Sequence, residues 1–400
     1  MSTVSISRFE GPLIQLLAAQ IPADFSDWLD FVAIGVLLAF VWGVDPYVFA
    51  LLAVAFGLPY LVVGPFAGVL VDRTGIKSTL VLSNLGRAAM TAGLAFAANW
   101  QMLLALVFLR GCVDAFYSPA KQSALQALTH EGNRLSANGI SHAINQSSKI
   151  VAPALGGSLM ILFDPENVFL LNAGISVLAA AMLLTLKPVP RPRQQEDGDG
   201  SVFSSLKEGY REVAGKPVLL STLVLMAGGY FAIFFYDTLI APLTKQLGFT
   251  EADLGYSLAA VGAGGVAGSL YFGMGKATEK PFRFVAAGLV FSGALTACLG
   301  AFDMFETSVS AIPFFMIFLL IGLFTAMATV PIRTVMQNQT DPNKMARVSS
   351  LSEAVNTVAL LTAPFIGAFI AQATTIGVSF VIGGAISIAL GFYALSIRER

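Results

Sequence analysis

Long runs of apolar residues, separated by short polar turns, follow one another along most of the chain. A helical run of about 20 apolar residues crosses a hydrocarbon core about 30 Å thick. The pattern therefore predicts an all-α integral membrane protein with twelve transmembrane helices and both chain ends on the same side. The predicted spans are residues 12–43, 47–71, 78–98, 101–121, 138–163, 167–187, 217–243, 253–275, 281–302, 308–335, 346–371 and 375–397.

The composition excludes a soluble globular protein. Of the 400 residues, 56% are hydrophobic and 12% are charged, and the mean hydropathy is +0.75. A soluble domain with this balance lacks the polar side chains to cover its surface. The net charge is −1 and the sequence has no basic patch, which argues against a nucleic-acid partner. Cys112 and Cys298 lie inside apolar runs, as small core residues do.

Lysine and arginine are divided unevenly between the two sets of loops. The loops near residues 45, 99, 164, 248, 305 and 373 contain one basic residue, Lys245. The opposite loops contain Arg73, Lys77, Lys121, Arg134, Lys276, Lys280, Arg283, Lys344 and Arg347. Basic loops remain in the cytoplasm. The sequence therefore predicts a multi-pass protein of the bacterial cytoplasmic (inner) membrane with both termini in the cytoplasm.

The segment after the sixth predicted helix is polar, charged and rich in proline and glycine. Residues 189–216 are interpreted as a cytoplasmic linker between an N-terminal six-helix bundle, residues 1–188, and a C-terminal six-helix bundle, residues 217–400. Within this segment, SSLKEGYREVAGKP is interpreted either as a short amphipathic helix on the membrane surface or as a loop.

The two halves share a sequence pattern. Pro119 and Lys121 in FYSPAKQSALQAL correspond to Pro331 and Arg333 in TVPIRTVMQNQT. The same order continues with Asn145 and Pro153 opposite Asn356 and Pro364, at an offset of 211 residues. Two six-helix halves related by duplication are typical of secondary transporters, whose substrate site lies between the halves near the middle of the bilayer.

The loop between the second and third predicted helices, GVLVDRTGIKS, carries the most specific motif. It resembles the signature of the major facilitator superfamily, Gly-x-x-x-Asp-Arg-x-Gly-x-Lys. The matching residues are Gly68, Asp72, Arg73, Gly75 and Lys77. The resemblance implies the major facilitator fold and a cytoplasmic latch between the two halves. The plainer alternative is an ordinary charged loop.

Two further motifs refine the resemblance. Arg110, within the fourth predicted helix, is similar to the buried arginine of proton-linked members. The fifth helix resembles the exporters' motif of small residues, with Ser148 and Ala152 in place of two glycines. The motif residues that this chain keeps are Gly139, Pro153, Gly156 and Gly157. General packing of small residues between helices is the alternative explanation.

Within the superfamily, the chain resembles the group of macrolide-type drug exporters, siderophore exporters and lysophospholipid transporters. FSDWLDFVAI (25–34), FYSPAKQSAL (116–125), SANG and IVAPALGG carry this resemblance. Tyr-Ser-Pro-Ala-Lys and Glu353 are similar to the lysophospholipid transporters in particular, although the seventh helix has Tyr236 and Asp237 where those transporters have an arginine.

Three carboxylates stand on the first predicted helix. Asp24, Asp27 and Asp30 share a broad face, because residues i, i+3 and i+6 lie on one side of a helix. In a helix that begins near Leu13, Asp27 lies about 21 Å along the axis. A charged aspartate at that depth costs at least about 2.5 kcal/mol unless it faces a cavity, pairs with a cation or carries a proton.

The cations expected at a similar depth are Arg110 and Lys149, and Asp114 is expected to compete with the first helix for Arg110. Asp27, at the position where the resembled family has its acidic residue, and Asp30 are predicted to line the central cavity, and one of the two is predicted to take up and release a proton. A fixed ion-pair network that holds the helices together is the alternative. Asp24 is expected at a solvated entrance, since Pro22 favours a helix break there.

Weaker candidates lie in the second half. Tyr236 and Asp237 end an aromatic run, FAIFFYD, which is interpreted either as a cavity wall for an amphipathic ligand or as an outer gate or lipid-facing belt. Glu353 and His142 fall opposite each other in the repeat and are candidates to relay protons.

The leading hypothesis is a proton-driven exporter of an amphipathic small molecule, drug-like or siderophore-like, that acts by alternating access. Alternatives are a lysophospholipid flippase and a divalent metal exporter. The sequence has no Gly-Lys-Ser or Gly-Lys-Thr loop for ATP, no His/Cys cluster for a metal and no exposed nucleophile elbow. We therefore expect no enzymatic activity and no cofactor, and a monomer whose partners are its substrate, protons and the lipid bilayer.

Overall fold

The computed structural model describes residues 11–129, 131–189, 210–273, 280–340 and 345–397. Twelve long helices account for most of these residues, which confirms the predicted all-α class. The helices are α1 (Gly11–Val36), α2 (Pro46–Thr74), α3 (Ile76–Leu94), α4 (Trp100–Ala127), α5 (Glu131–Leu162), α6 (Pro165–Leu184), α7 (Pro217–Asp237), α8 (Glu251–Gly273), α9 (Pro281–Met304), α10 (Ala311–Gln339), α11 (Met345–Ala373) and α12 (Ile376–Ser396).

Two predicted spans are divided in the structure. The first ends in a π-helical turn, Leu37–Val41, and the seventh is followed by a separate short helix, Ile240–Gln246. The predicted break at Pro22 is wrong, because α1 continues through this proline. In the segment before α7, residues 210–214 are helical, which agrees with part of the proposed amphipathic helix.

Eight of the long helices have the length and hydropathy of membrane spans among the residues that the structure describes. They are α2, α4, α6, α7, α9, α10, α11 and α12. Of the other four, α1, α3 and α5 carry the buried polar side chains described below. The chain is a multi-pass membrane protein.

The chain divides into two compact units. The first comprises Met1–Trp42 and Ala55–Gln195, and the second comprises Gly43–Val54 and Glu196–Arg400. The start of α2 thus groups with the second unit. The bundle boundaries expected from the sequence, residues 1–188 and 217–400 with the linker 189–216, remain a prediction.

In the first unit, α1 packs against α5 and α6, and α3 packs against α4 and α6. Buried apolar side chains of α1, α3, α4 and α6, among them Leu16, Leu80, Ala120 and Leu183, form the core. This arrangement surrounds the polar face of α1 with α3, α4, α5 and α6, and therefore determines which side chains reach its carboxylates.

In the second unit, small residues bring helix backbones together. A Cβ on Gly288 would lie 2.6 Å from the carbonyl oxygen of Phe324, so α9 and α10 touch through their backbones. Asp303, near the C-terminus of α9, accepts a hydrogen bond of 2.7 Å from the backbone N–H of Gly377 at the start of α12. Close backbone approach of this kind is how membrane helices associate without large apolar side chains.

Candidate functional site

The three carboxylates of α1 are not equally accessible. Asp24 and Asp30 are 3% and 0% exposed, whereas the side chain of Asp27 between them is 32% exposed. The buried carboxylates need partners from neighbouring helices, because an unpaired charge in the membrane interior is strongly unfavourable. All three have such partners, and the partners differ.

Arg87 of α3 is the partner of Asp27 that the sequence analysis missed. Its side chain is fully buried, and Nη2 donates to Oδ1 of Asp27 and, at 2.9 Å, to the carbonyl oxygen of Ala23. The guanidinium also lies over the ring of Tyr117, 5.3 Å from its centroid. A signal was present, since Arg87 is the only charged residue in the predicted span 78–98, and a lone charge in a membrane span needs a counter-ion.

Arg110 of α4 contacts two of the α1 carboxylates, as the sequence analysis expected. Nη2 lies 2.7 Å from Oδ1 of Asp27, and Nε lies 3.0 Å from Oδ2 of Asp30. Thr91 of α3 donates to the same oxygen of Asp30 at 2.7 Å, and Asn172 of α6 donates to the other at 2.6 Å. Asp30 is therefore fixed from three helices and has no exposed surface.

Asp114 of α4 does not compete for Arg110 in the way expected. Its Oδ1 lies 3.4 Å from Nε of Arg87, and its Oδ2 accepts a hydrogen bond of 2.9 Å from the hydroxyl of Tyr60 on α2. The physical reason is the position of Arg87, which lies between α1 and α4 and supplies a second cation.

Together, Asp27, Asp30, Asp114, Arg87 and Arg110 form what we call the charge cluster. With every group ionised, three negative and two positive charges leave one excess negative charge. Both arginines contact Oδ1 of Asp27, while Oδ2 of this residue receives no hydrogen bond from the part of the chain that the structure describes. Asp27 is thus the most exposed carboxylate of the cluster and has one oxygen available to a proton.

Asp24 belongs to a separate network, and its expected place at a solvated entrance is wrong. Gln20 donates to its Oδ2 at 2.7 Å and Asn145 at 3.3 Å, and Nζ of Lys121 lies 3.6 Å from Oδ1. Gln20 is itself held by Ser141 of α5, whose hydroxyl donates to it at 2.8 Å. Because α1 continues past Pro22, Asp24 faces α4 and α5 instead of water.

Lys149 of α5 contacts an aromatic ring of α1. The ammonium lies over the ring of Trp28, 5.2 Å from the centroid. Trp28 follows Asp27 directly on α1, so the two side chains leave the helix in different directions. The expectation that Lys149 is a counter-ion of the α1 aspartates stays a prediction.

The loop motif is described only in part. Gly68, Asp72 and Arg73 fall in the last turns of α2, and their side chains lie outside the described residues. Gly75 has φ +89°, a conformation that suits glycine, and stands at the N-terminal cap of α3. Lys77 donates a hydrogen bond of 2.8 Å to the carbonyl oxygen of Leu184, so it caps the C-terminus of α6.

The small-residue motif of α5 packs against α1. A Cβ on Gly156 would lie 2.9 Å from Cδ1 of Leu29, which places this stretch of α5 in direct contact with the carboxylate-bearing helix. Gly157 is buried and Pro153 lies within the continuous helix. Gly139 is helical, but its environment lies outside the described residues.

The second-half candidates are described only in part. Tyr236 is 8% exposed, packs on Phe380 with ring centroids 4.9 Å apart and accepts a hydrogen bond of 3.3 Å from Thr296. Asp237 is half-buried at the end of α7. Glu353 lies on α11, and its side chain, like that of His142, is outside the described residues.

Comparison with known proteins identifies the family. A family model described as Major Facilitator Superfamily matches residues 16–352. The MFS-type transporter YfiS of Bacillus subtilis is 27% identical over 396 residues, which cover 97% of this chain and 93% of YfiS. Macrolide efflux protein A of Streptococcus pyogenes is 21% identical over 349 residues, which cover 86% of this chain and 85% of that protein.

Solved structures agree with this comparison at the level of the fold. The crystal structure of the nucleoside transporter NupG superposes with a TM-score of 0.76 at 11% identity, over 97% of this chain and 99% of that chain. The resemblance to macrolide-type exporters expected from the sequence motifs is confirmed by the macrolide efflux protein among the relatives.

Proposed function

Because the chain belongs to the Major Facilitator Superfamily, we propose that it is a secondary active transporter that exports an amphipathic small molecule in exchange for protons, by alternating access. The observation that carries the proposal is the charge cluster, whose three carboxylates and two guanidinium groups leave one excess negative charge around the part-exposed Asp27.

The cluster is built to bind one proton. When a proton from water bonds to Oδ2 of Asp27, the excess charge is cancelled and the attraction of this carboxyl group for both arginines falls. When the proton leaves, the carboxylate again attracts them. Movement of an arginine toward or away from Asp27 therefore changes proton affinity, and proton binding in turn changes the arginine contacts, as linkage requires.

Asp27 is the proton carrier in this proposal, and Asp30 and Asp114 hold the arginines. Asp30 is fully buried and accepts hydrogen bonds from Thr91 and Asn172, which fix its carboxylate in place. Asp114 accepts a hydrogen bond from Tyr60. Asp27 has a single ligated oxygen and a 32% exposed side chain, so a proton can reach it from water.

The proposed cargo follows from the relatives and from the membrane setting. Macrolide efflux protein A is named for macrolide efflux, and a drug-like or siderophore-like molecule is the corresponding proposal here. We place the protein in the bacterial inner membrane as a monomer, with both termini in the cytoplasm, because basic residues are concentrated in one set of loops. Single cysteines in successive loops, labelled from outside intact cells, test this topology.

The two alternative hypotheses are metal export and lysophospholipid movement. Among the described residues no group of three or more His, Cys, Asp and Glu side chains is arranged to hold a metal ion. The carboxylates of the charge cluster instead face two guanidinium groups, which repel a divalent cation. We therefore do not propose metal export. Lysophospholipid movement shares the amphipathic chemistry of the main proposal and is tested in the same vesicles with a labelled lysolipid.

The test uses the purified protein in vesicles with an imposed pH gradient, a pH dye inside and a fluorescent amphipathic cation or acid as cargo. Cargo movement that depends on the gradient and is matched by proton movement is the expected result. Cargo movement that ignores the gradient would refute proton coupling. Asp27→Asn and the surface control Asp45→Asn are compared in the same assay, since Asp45 lies on an exposed loop.

A further inference from the structure

Asp237, the last residue of α7, is a carboxyl group that the proposed mechanism does not use. Its side chain is half-buried, and within the part of the chain that the structure describes it forms no hydrogen bond and no ion pair. The hydroxyl of Thr238, the next residue, is buried and likewise has no hydrogen-bond partner among the described residues. These residues therefore supply neither a cation nor a hydrogen-bond donor to an ionised Asp237.

The position of Asp237 on α7 also disfavours a negative charge. The C-terminus of a helix carries a partial negative charge, because its last carbonyl groups have no partners within the helix. A carboxylate there is repelled by this charge, and burial in an apolar segment adds the cost of removing the carboxylate from water. The protonated form of Asp237 is neutral and avoids both costs.

Asp253 shows the opposite arrangement in the same unit. It is also half-buried, but it lies in the first turn of α8, where the helix dipole favours a negative charge. Its Oδ2 accepts hydrogen bonds from the backbone N–H of Thr250 at 2.8 Å and from the hydroxyl of Thr250 at 2.7 Å. The two half-buried aspartates thus differ in whether their surroundings stabilise the ionised form.

The internal repeat gives the positions in the second unit that are equivalent to those of the charge cluster. In the first unit, Thr91 of α3 donates to Asp30 of α1 at 2.7 Å. In the second unit, Thr296 of α9 donates to Tyr236 of α7 at 3.3 Å. Residue 30 therefore aligns with residue 236, and residue 91 with residue 296.

This alignment shows what stands in place of the two arginines. Arg87 aligns with Ser292 at the offset of the two threonines. Arg110 aligns with Gly322 at the offset of the matching prolines of α4 and α10. The second unit therefore has a hydroxyl group and a glycine at the positions from which the first unit supplies cations to its carboxylates.

Charged residues of α10 and of the short helix after α7 have other contacts. Arg333 of α10 donates to the hydroxyl of Tyr230, which lies about 10 Å along α7 from Asp237. The ammonium of Lys245, in the short helix, lies beside Gly43. The span of α12 contains no charged residue.

The charged residues of α9 and α11 are also placed elsewhere. On α11, Arg347 and Glu353 lie within about two turns of its start, whereas α7 is touched by the later part of α11, at Gly367. On α9, Asp303 binds the N-terminus of α12, and Arg283 lies near the opposite end of the helix. None of these side chains pairs with the carboxyl group at the end of α7.

We propose that Asp237 is a second proton-binding carboxyl group and that the transporter moves two protons in each cycle, one on Asp27 and one on Asp237. The proton comes from water, and an O–H bond forms at a carboxylate oxygen of Asp237. Where water reaches the whole carboxylate, hydration stabilises the ionised form, and the O–H bond breaks to return the proton to water. No electron is transferred. The inference rests on the proposed proton exchange and adds its stoichiometry.

The first test measures protonation without a gradient or a cargo. Dicyclohexylcarbodiimide is an apolar reagent that modifies protonated carboxyl groups, and mass spectrometry of peptides from the full-length protein in detergent locates the label. At neutral pH we expect at least about tenfold more label on Asp237 than on Asp253, because an isolated carboxyl group keeps its proton. The label on Asp237 is expected to fall at alkaline pH.

A control separates protonation from reactivity of the peptide. After unfolding in dodecyl sulfate at mildly acidic pH, Asp237 and Asp253 are expected to react alike. Equal labelling of the two in the folded protein, or no label on Asp237 there, would overturn the proposal.

The second test asks how many protons move with the probe ethidium. Ethidium carries one positive charge, so exchange for two protons moves one net positive charge, and exchange for one proton moves none. Vesicles with equal pH on both sides receive an inside-positive potential from inward potassium flow through valinomycin. Exit of two protons for each ethidium that enters predicts ethidium uptake toward the positive interior, against the electrical force on ethidium itself.

The variants show whether Asp237 carries the second proton. Asp237→Asn is expected to keep ethidium movement driven by a pH gradient, because Asp27 still governs the contacts of the two arginines. It is expected to lose movement driven by potential alone, because one-for-one exchange is electroneutral. Asp253→Asn, the matched control, is expected to keep both.

The outcomes distinguish this inference from the proposed function. Wild-type protein that responds to the pH gradient but ignores the potential would reject the second proton alone, and so would potential-driven uptake that survives Asp237→Asn. Label on Asp237 with no gradient-driven movement of ethidium would reject the proposed exchange for this cation and would leave Asp237 as a proton-binding group.

Discussion

The carboxylate of Asp27 on α1 accepts a hydrogen bond from the fully buried guanidinium of Arg87 on α3, 60 residues later in the chain. The same guanidinium also reaches Asp114 of α4. Arg87 therefore links the helix that carries the most exposed carboxylate to two other helices of the first unit. A change of charge at Asp27 therefore changes its ion pair with Arg87 of α3 directly, and through Arg87 it affects the contact with Asp114 of α4.

Removal of the Asp27 carboxylate is expected to abolish proton coupling. Asp27→Asn leaves two carboxylates and two arginines, so the cluster is permanently neutral and has no site for a transported proton. Gradient-driven cargo movement and the matching change in internal pH are expected to fall to the level of empty vesicles. Asp27→Glu, which keeps a titratable group, is expected to retain part of both.

Retention of proton exchange in the Asp27→Asn protein would contradict this prediction. If Asp27→Asn protein is folded and still exchanges protons for cargo, then the carboxylate is a structural partner of Arg87 and Arg110. Asp45→Asn, an exposed loop substitution, is expected to leave both signals at the wild-type level and controls for handling of the protein.

Arg87 is expected to be essential for stability because its removal leaves a buried carboxylate without its cation. Arg87→Met removes the ion-pair partner of Asp114, which keeps the hydrogen bond from the Tyr60 hydroxyl. Breaking a buried ion pair in this way costs about 3–5 kcal/mol. Thermal unfolding in detergent is expected to show a large loss for Arg87→Met.

A double variant separates the charge effect from the loss of packing. Arg87→Met with Asp114→Asn removes both charges, and most of the lost stability is expected to return. A double variant no more stable than the single one would mean that Arg87 acts through its size and its contact with Tyr117 instead.

The helix pattern predicts the fold well because hydrophobic runs report directly on the membrane interior. It predicts helix ends less well where a helix extends beyond the hydrocarbon. The fifth helix begins at Glu131 instead of residue 138, and the tenth continues to Gln339 instead of 335. These extra turns are polar, so mean hydropathy does not distinguish them from loops.

From the sequence, only those features of the site that depend on residue spacing along one helix could be predicted. The shared face of Asp27 and Asp30 follows from helix geometry, and so does their need for a cation. Which cation reaches them depends on helix packing across about 60 residues of chain, which periodicity does not encode. Arg87 was missed for this reason.

Gly156 is expected to be sensitive to size because α1 and α5 meet there. An added Cβ would lie 2.9 Å from Cδ1 of Leu29, the movable end of a side chain, so Gly156→Ala is expected to cost little. Gly156→Leu forces the helices apart and is expected to cost about 1–3 kcal/mol. Thermal unfolding of the two variants measures the difference.

Gly174 on α6 is the matched control for this prediction. A Cβ at this position meets no atom within 4 Å, so Gly174→Ala is expected to be neutral or slightly stabilising through lower chain entropy. Equal effects of Gly156→Leu and Gly174→Leu would show that the bulk of the new side chain, and not the α1–α5 contact, decides the outcome.

The repeat supplies a matched comparison of two basic residues at equivalent positions. Lys121 lies 3.6 Å from the buried Asp24, whereas Arg333 is exposed and donates a hydrogen bond to the hydroxyl of Tyr230. Lys121→Met leaves a buried carboxylate without its cation and is expected to cost about 3 kcal/mol. Arg333→Met is expected to change stability by less than about 0.5 kcal/mol, as exposed substitutions do. Adding Asp24→Asn to Lys121→Met is expected to restore most of the loss. Similar unfolding temperatures for the two single variants would contradict a charge-pairing role for Lys121, because only its bulk would then matter.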